Sequence, residues 1–256
     1  IIRDINLQVG IIIQLNKNEY EIEDDKYFQN ISDVIKLLNL ELKTFGIHYL
    51  YCSKFVKLKN LKYYLNNFIE FENQYIDKKI ICLLPNSFYQ ANVNVLHYFY
   101  EIFQKWIKKI KCNNLVNIGD DGGNVCTILS SLFDNMITYF HCVDSYNCAE
   151  QMKIKNKISN LYLSFELNNI IEFDLLNKNN LLIINPGRKG LNFNEINVIN
   201  KSKNIKYIIY MACNENAFKK NINSFTKKYE IIELEKIMNM PVIEKFQFLY
   251  LIKIFN

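Results

Sequence analysis

Residues 115–124 decide the fold class; they read Leu115-Val116-Asn117-Ile118-Gly119-Asp120-Asp121-Gly122-Gly123-Asn124. An apolar run ends in a turn that holds three of the chain's seven glycines. Glycines let the backbone approach a ligand closely, and a helix that starts after the turn offers unpaired amide groups. The stretch therefore predicts a strand at Leu115–Ile118, a turn and a helix. Taken alone, the turn is equally typical of an ordinary Gly/Asp turn.

The alternation of apolar runs and helical spacing continues towards the C-terminus, after a long helix predicted at Val93–Ile110. Further strands are predicted at Thr138–Val143, Leu161–Phe165, Leu181–Ile184 and Tyr207–Met211. Helices are predicted at Asn124–Phe133, Ala149–Lys157 and Asn216–Thr226, and two final strands at Glu230–Glu235 and Phe246–Ile254. Strands that alternate with helices indicate an α/β fold with a parallel sheet and right-handed crossovers.

The N-terminal part has a different pattern, which divides the chain into residues 1–75 and 76–256. Strands are predicted at Gly10–Leu15 and His48–Cys52, and an amphipathic helix at Ile31–Leu42. We expect residues 1–75 to form a partial, small α+β domain, and an apolar strand at Lys79–Leu84 to open the second part. Because the chain begins with Ile1, we expect a truncated N-terminus.

Composition excludes several classes of protein. Of the 256 residues, 50% are hydrophobic and 22% are charged, which excludes a disordered tail. The net charge of +5 permits a polyanionic partner without requiring one. We expect no membrane span and no signal peptide, because no apolar run reaches about 18 residues. Seven scattered cysteines without a C-x-x-C pair, and only three histidines, predict no metal site and a reducing intracellular compartment, either the cytoplasm or an organelle.

The loops that follow the predicted strands carry the candidate site, because ligands bind beyond the carboxyl ends of a parallel sheet. Asp144 follows the predicted strand Thr138–Val143, at a place where a carboxylate commonly receives the hydroxyls of a ribose. Glu166 follows the predicted strand Leu161–Phe165. With the glycine turn, these residues favour a nucleotide or S-adenosyl-L-methionine site, and the lack of a P-loop lysine disfavours ATP.

Two further loops suggest chemistry on a base. Residues 185–190 read Asn-Pro-Gly-Arg-Lys-Gly, a rigid turn with two cations that could hold a base or a phosphate. Cys213 stands between a strand and a helix, where helix amides favour the thiolate. No histidine is close to Cys213 in sequence, so we expect conjugate addition to an activated ring rather than protease-like chemistry. Most of the other cysteines are expected to be small buried residues.

Five stretches stand in a fixed order: Asn86–Asn92 (Asn-Ser-Phe-Tyr-Gln-Ala-Asn), Asn117–Asn124, Asn185–Leu191, Ile209–Asn214 (Ile-Tyr-Met-Ala-Cys-Asn) and Met240-Pro241 before a strand. They resemble the motifs N-S-F-x-Q-x-N, D-L-x-C-G-x-G-N, D-P-P-R-x-G-L, V-Y-x-S-C-N and F-P of the RNA uracil-5-methyltransferases, with the tRNA branch looking most similar. The match runs over nearly the whole chain. It implies a Rossmann-like methyltransferase domain, S-adenosyl-L-methionine as cofactor and tRNA or rRNA as substrate.

The resemblance also implies roles for individual residues. Cys213 would add to carbon 6 of uracil, so that carbon 5 can take the methyl group. Arg188 and the residue at position 185 would contact the target base. The residues implied in cofactor binding are Gln90, Asn117, Gly119, Asp121, Gly123, Asp144 and Glu166.

Four positions depart from the family pattern. The family's proton-abstracting glutamate is Gln247 here, although Glu244 is nearby, and its two aspartates are Asn117 and Asn185. A usual glycine is Asp121. Three alternatives stay open: an active uridine methyltransferase that uses water or Glu244 as base, a pseudoenzyme that binds RNA within a ribonucleoprotein, or a methyltransferase with another substrate.

Two basic clusters are candidates for the RNA-binding surface. Lysines 105, 108, 109 and 111 lie at the end of the long helix, and lysines 54, 57, 59 and 62 are interleaved with aromatic residues. Aromatic rings among cations suit single-stranded RNA. An ordinary solvated lysine face is the more common explanation of either cluster.

Overall fold

A computed structural model describes residues 2–5, 8–15, 48–52, 69–72, 78–84, 87, 93–119, 122–240 and 245–255. The chain divides into two compact units, one of residues 1–71 with 82–86 and one of residues 72–81 with 87–256. The predicted boundary after residue 75 stays a prediction, and the predicted helix Ile31–Leu42 lies outside the described residues.

In the first unit, β1 (Ile2–Ile5) pairs antiparallel with β2 (Gln8–Leu15), and β2 pairs parallel with β3 (His48–Cys52). The predicted strands Gly10–Leu15 and His48–Cys52 fall within β2 and β3. A separate two-stranded sheet holds β4 (Ile69–Glu72) and β5 (Ile80–Leu83).

The second unit alternates helices and strands as predicted. In chain order the elements are α1 (Val93–Ile110), β6 (Asn114–Ile118), α2 (Asn124–Ile128), β7 (Asn135–Tyr139), α3 (Val143–Lys155), β8 (Leu161–Ser164), α4 (Leu167–Leu176), β9 (Asn180–Ile184), α5 (Phe193–Lys201), β10 (Ile205–Ala212), α6 (Glu215–Ile222), β11 (Lys228–Met240) and β12 (Lys245–Phe255). Single 3₁₀ turns lie at Ser130–Leu132 and Gly187–Lys189.

One sheet of seven strands organises this unit, in the order β11-β12-β10-β9-β6-β7-β8. Strands β8, β7, β6, β9 and β10 run parallel, and β12 and β11 add an antiparallel edge. This confirms the predicted Rossmann-like α/β fold. The chain runs outward from β6 to β8 and then returns to β9 on the other side of β6. The crevice between the ends of β6 and β9 is therefore the expected ligand site.

Apolar side chains fill both faces of the sheet. On one face, the residues of α4, α5 and α6 pack on β6, β9 and β10 in one buried cluster, which includes Val116, Ile118, Ile184, Val198 and Phe218. Helix α1 buries Phe99, Phe103 and Trp106. Within the described part of the chain, no helix is long and apolar enough to cross a membrane.

Several predicted elements were wrong in their bounds. The predicted strand Thr138–Val143 is instead β7, which ends at Tyr139, and Val143 already begins α3, six residues before the predicted helix start at Ala149. The mostly apolar run from Met136 to Val143 holds no glycine or proline, so the sequence does not mark where strand changes to helix. The predicted helix Asn124–Phe133 breaks after Ile128 into a 3₁₀ turn.

Two lysines of the predicted basic cluster at lysines 105–111 form ion pairs within the protein. Trp106 Nε1 donates to Glu233 Oε2 of β11 at 2.7 Å, and the Lys109 ammonium pairs with the same carboxylate. Lys105 lies 4.0 Å from it. Two of the four lysines at the end of α1 therefore fix the helix to the sheet edge. The second cluster, at lysines 54–62, lies outside the described residues.

Candidate functional site

The ends of β6 and β9 touch each other at the centre of the sheet. Asn185 donates its backbone N–H to the Ile118 oxygen at 3.0 Å. A Cβ atom on Gly119 would lie 2.6 Å from the Asn185 backbone oxygen, far inside van der Waals contact. The structure thus brings together the predicted residues Gly119 and Asn185, and it explains why position 119 has no side chain.

The end of the glycine turn packs on helix α3. Gly123 has φ +78°, and a Cβ there would lie 2.5 Å from the Ala149 Cβ. Only glycine combines that conformation with that close approach. Gly123 therefore places the turn against α3. Asp120 and Asp121 lie outside the described residues, as does Gln90, so the roles predicted for Asp121 and Gln90 stay predictions.

Asn117 is fully buried in β6 beneath the turn. Its Nδ2 donates to the Thr138 hydroxyl of β7 at 3.0 Å. Its Oδ1 has no hydrogen-bond partner among the described residues. A buried amide oxygen without a partner costs about 1–3 kcal/mol. The Asn117 Oδ1 lies next to the crevice, where it can accept a hydrogen bond from water or from a bound molecule.

His141 lies closer to the end of β7 than Asp144, whose predicted role stays a prediction. It follows the end of β7 by two residues, whereas Asp144 lies half-buried in the first turn of α3. His141 Nε2 lies 2.8 Å from Glu195 Oε1, and Glu195 is buried. The other oxygen of Glu195 accepts the Asn192 backbone N–H at 2.7 Å. A buried carboxylate thus orients an imidazole that is 40% exposed in its side chain.

Sequence reasoning missed this pair. The spacing Asn192-x-x-Glu195 is a capping box, and it does open α5. That signal fixes Glu195 near the start of the helix, directly after the loop 185–190. Nothing local to His141 marks it, because it sits inside an apolar run.

Glu166 is exposed after β8, as predicted. The Ser164 hydroxyl fixes the turn that carries it, with the Glu166 N–H donating to the Ser164 Oγ at 2.9 Å. Beside it, the rings of Tyr146 and Phe165 stack at 4.6 Å between centroids. Phe165 stays 45% exposed, so the end of β8 offers an apolar ring next to a carboxylate.

The loop 185–192, which we call the Arg188 loop, leaves β9 and crosses to α5. Arg188 and Lys189 are exposed, within a 3₁₀ turn. The loop is tied to the next strand–helix unit at Asn214, whose Nδ2 donates to the Arg188 carbonyl at 3.2 Å. It is tied again at Asn221, which hydrogen-bonds both backbone groups of Leu191.

Cys213 lies exposed directly after β10. The other cysteine side chains that the structure describes are buried or half-buried. The next residue, Asn214, caps α6 through its Oδ1, which accepts from the amides of Asn216 and Ala217. The predicted nucleophile is thus accessible, and Asn214 links it to the Arg188 loop.

Gln247 is buried in β12, beside the end of β10. Ala212 pairs with Phe248 in the antiparallel register, so Gln247 is the residue opposite Cys213. The loss of a carboxylate at this position therefore lies next to the predicted nucleophile. Pro241 and Glu244 lie outside the described residues. In the described part of the chain, no three His, Cys, Asp or Glu side chains cluster as a metal site requires.

Known proteins resemble this chain in sequence and in fold. No family model matches it. It is 26% identical over 194 residues to a protein of Acanthamoeba polyphaga mimivirus that is named as an RNA methyltransferase; the match covers 71% of this chain and 47% of that protein. It is 22% identical over 137 residues to homolog A of tRNA (uracil-5-)-methyltransferase from Mus musculus; that match covers 52% of this chain and 22% of the mouse protein. The chain thus spans less than half of either relative.

Among solved structures, the Pyrococcus abyssi tRNA (uracil-54, C5)-methyltransferase in complex with S-adenosyl-L-homocysteine superimposes with a TM-score of 0.64. The identity is 14%, and the alignment covers 96% of this chain and 56% of that one. The shared fold is one that holds a product of S-adenosyl-L-methionine in that enzyme, which supports the predicted cofactor. The chain is a distant relative of RNA methyltransferases, and its predicted resemblance to the uracil-5-methyltransferases among them is confirmed.

Proposed function

We propose that this chain is the methyltransferase part of an RNA uridine C5-methyltransferase that acts on tRNA or rRNA with S-adenosyl-L-methionine. One observation carries the proposal. The exposed Cys213 lies at the same edge of the sheet as the glycine turn, and Asn214 joins it to the Arg188 loop at 3.2 Å. A thiol, a cationic loop and the crevice between the ends of β6 and β9 on one edge are the parts that base methylation through an adduct requires.

The residues of the crevice fit the cofactor. Gly119 lets the ends of β6 and β9 pack directly on each other, which holds the glycine turn beside the Asn185 backbone. His141, oriented by Glu195, is placed to hydrogen-bond ribose hydroxyls, and the exposed Phe165 ring beside Glu166 suits a stacked adenine. When bound, the cofactor supplies an electrophilic methyl group.

Cys213 and Arg188 would act on the RNA base. The Cys213 thiolate forms a C–S bond to carbon 6 of uracil, and the electron pair of the C5–C6 double bond moves to carbon 5, which becomes nucleophilic. Arg188 is placed to hold the base or a neighbouring phosphate. After methyl transfer, a base removes the proton from carbon 5, the C–S bond breaks, and the double bond re-forms.

The proton step is where this chain differs from its family. An amide does not accept a proton near neutral pH, so Gln247 cannot act as the general base. Water or Glu244 remains for this step. Loss of a general base typically costs about 10²–10⁴-fold in rate, so we expect slow turnover.

The second candidate function is a methyltransferase-like RNA-binding protein without catalysis, which would act as a structural part of a ribonucleoprotein. The observation that favours it is the pair of amides, Gln247 and Asn185, at positions where the family has carboxylates. In both proposals RNA is the partner and the chain works in a reducing compartment, such as the cytoplasm or an organelle.

Incubation with methyl-labelled S-adenosyl-L-methionine and total RNA separates the two. The first proposal predicts labelled 5-methyluridine that is lost in Cys213→Ala and kept in Cys112→Ala. Cys112 is the matched control because it is buried before the amino end of β6, where burial raises the pKa of its thiol to about 12. RNA binding without any labelled nucleoside would instead favour the second proposal.

A further inference from the structure

We propose that helix α6 is a clamp, in which Asn214 and Asn221 are positioning residues that hold the Arg188 loop in register with Cys213. This inference rests on the proposed function, because it concerns the geometry of that same site. The clamp is built from two side-chain amides, one at each end of the helix that directly follows Cys213.

Asn221 holds the end of the Arg188 loop from inside the protein. It is 3% exposed. Its Oδ1 accepts the Leu191 N–H at 2.7 Å, and its Nδ2 donates to the Leu191 oxygen at 3.1 Å. The same Oδ1 also accepts the hydroxyl of the buried Tyr210 at 2.7 Å. The amide therefore satisfies both backbone groups of one loop residue and joins them to β10.

Gly190 shows that the fit is close. It has φ +74°, and a Cβ there would lie 2.4 Å from Asn221 Oδ1 and 3.2 Å from the Ala217 Cβ. Any side chain would push the loop away from α6. Gly190 and Asn221 thus form one close contact between the Arg188 loop and α6.

Asn214 holds the loop at the other end of α6. Its Oδ1 accepts from Asn216 and Ala217 and fixes the start of the helix. Its Nδ2 donates to the Arg188 oxygen at 3.2 Å. Because Asn214 follows Cys213 directly, the same residue fixes the turn of the nucleophile and the backbone of the arginine.

Burial decides which of the two contacts matters more. The Asn214 bond is exposed to solvent and competes with water, whereas the Asn221 bonds to Leu191 and Tyr210 are buried. Removing the Asn221 amide leaves the Leu191 N–H, the Leu191 carbonyl and the Tyr210 hydroxyl to find new partners. The loop would then move relative to Cys213, and a displacement of about 1 Å at a reacting centre can cost about 10²-fold in rate.

The test compares Asn221→Ala with Asn180→Ala. Asn180 is a matched control, because it is equally buried and its Nδ2 bonds Asp174 and the Asn177 oxygen at the opposite, amino end of β9. Two experiments are carried out on each variant. Amide hydrogen exchange of residues 186–192 is measured in the protein alone, and enzyme kinetics give kcat and KM for 5-methyluridine formation. We expect faster exchange and a kcat lowered about 10–100-fold in Asn221→Ala, with a smaller change in KM for RNA. Asn180→Ala should leave both readouts of the Arg188 loop near the wild type.

Equal effects of the two variants on kcat, or unchanged exchange at residues 186–192 in Asn221→Ala, would overturn the clamp. If Asn221→Ala does not fold, Tyr210→Phe removes one of the Asn221 bonds and keeps the ring packed on Phe218; it should show the same changes at smaller size. If the wild type forms no 5-methyluridine, the proposed function fails, while the exchange measurement still decides whether α6 holds the loop.

Discussion

A side chain on Gly119 would collide with the backbone of Asn185, since a Cβ atom there would lie 2.6 Å from the Asn185 oxygen. The Asn185 N–H in turn donates to Ile118 at 3.0 Å. Gly119 and Asn185, which lie 66 residues apart in the sequence, thus join the glycine turn to the Arg188 loop. A change in the turn must therefore affect the Arg188 loop.

Gly119→Ala should destabilise the protein and weaken cofactor binding together. The added methyl group must displace either the Asn185 backbone or the turn, and overpacking of this kind costs about 1–3 kcal/mol. Urea unfolding measures the stability, and isothermal titration calorimetry with S-adenosyl-L-homocysteine measures the binding.

Gly187→Ala is the matched control for stability: its φ is +66°, but nothing lies within 4 Å of the added Cβ. It should cost only the backbone strain, roughly 1–2 kcal/mol. Equal S-adenosyl-L-homocysteine affinity in Gly119→Ala and the wild type would contradict the role of this turn.

His141→Ala should weaken S-adenosyl-L-homocysteine binding about tenfold, because one ribose contact is worth about 1.4 kcal/mol. Glu195→Gln keeps an oxygen and a capping side chain but removes the charge that orients the imidazole. We expect an intermediate loss of affinity in that variant. The measurement is calorimetric titration at neutral pH. An unchanged affinity in His141→Ala would return the ribose role to Asp144, which Asp144→Ala tests in the same assay.

Stability should depend on pH through Glu233. Hydrogen bonds from Lys109 and Trp106 and the nearby charges of Lys109 and Lys105 outweigh desolvation and lower the pKa of this carboxyl. A lowered pKa in the folded state stabilises the protein above the unfolded value of about 4.3, and that contribution is lost as the pH falls through the folded value. Because the lysine partners are exposed, we expect about 1 kcal/mol.

Thermal melts of the wild type and Glu233→Gln at several pH values check this. The variant should melt about 2–4 °C lower at pH 7, and the two curves should converge below about pH 4. Glu230→Gln, on the same strand, is the control and should show no such gap. A gap that persists undiminished at low pH would mean that Glu233 acts through packing instead of charge.

The sheet could be predicted from the sequence because each central strand is a short apolar run between turn signals. The predicted runs Leu115–Ile118, Leu181–Ile184 and Tyr207–Met211 lie within β6, β9 and β10, and the predicted helix Val93–Ile110 has the observed bounds of α1. The predicted end of β7 was wrong, since the run from Met136 to Val143 is mostly apolar and holds no glycine or proline that marks the end of a strand. The ribose contact predicted at Asp144 stays a prediction.

The supporting residues of the site could not be predicted, because they act across long separations in the chain. Asn221 lies 30 residues from Leu191, and Glu195 lies 54 residues from His141. No local spacing reports such contacts. Cys213 and Arg188 could be proposed from the sequence because their own motifs mark them; both are exposed in the structure, and their roles stay predictions.

The last prediction concerns Gln247 and the release of the RNA adduct. Gln247 lies opposite Cys213 in the register of β10 and β12, so a carboxylate at that position would be near the base that Cys213 holds. If the proposed adduct forms, we expect it to decay slowly with an amide at this position. The wild type should therefore give a protein–RNA crosslink that survives heating and that Cys213→Ala abolishes.

Gln247→Glu should reduce the crosslink and raise 5-methyluridine formation about 10-fold or more, because a general base typically contributes 10²–10⁴-fold. Gln247→Leu, which removes the amide without adding a base, is the control and should keep the wild-type ratio of crosslink to product. The ratio is read on denaturing gels alongside labelled-nucleoside analysis. A Gln247→Glu variant that folds like the wild type and keeps the same ratio would show that the proton leaves carbon 5 by another route, for which Glu244→Gln is then the direct test.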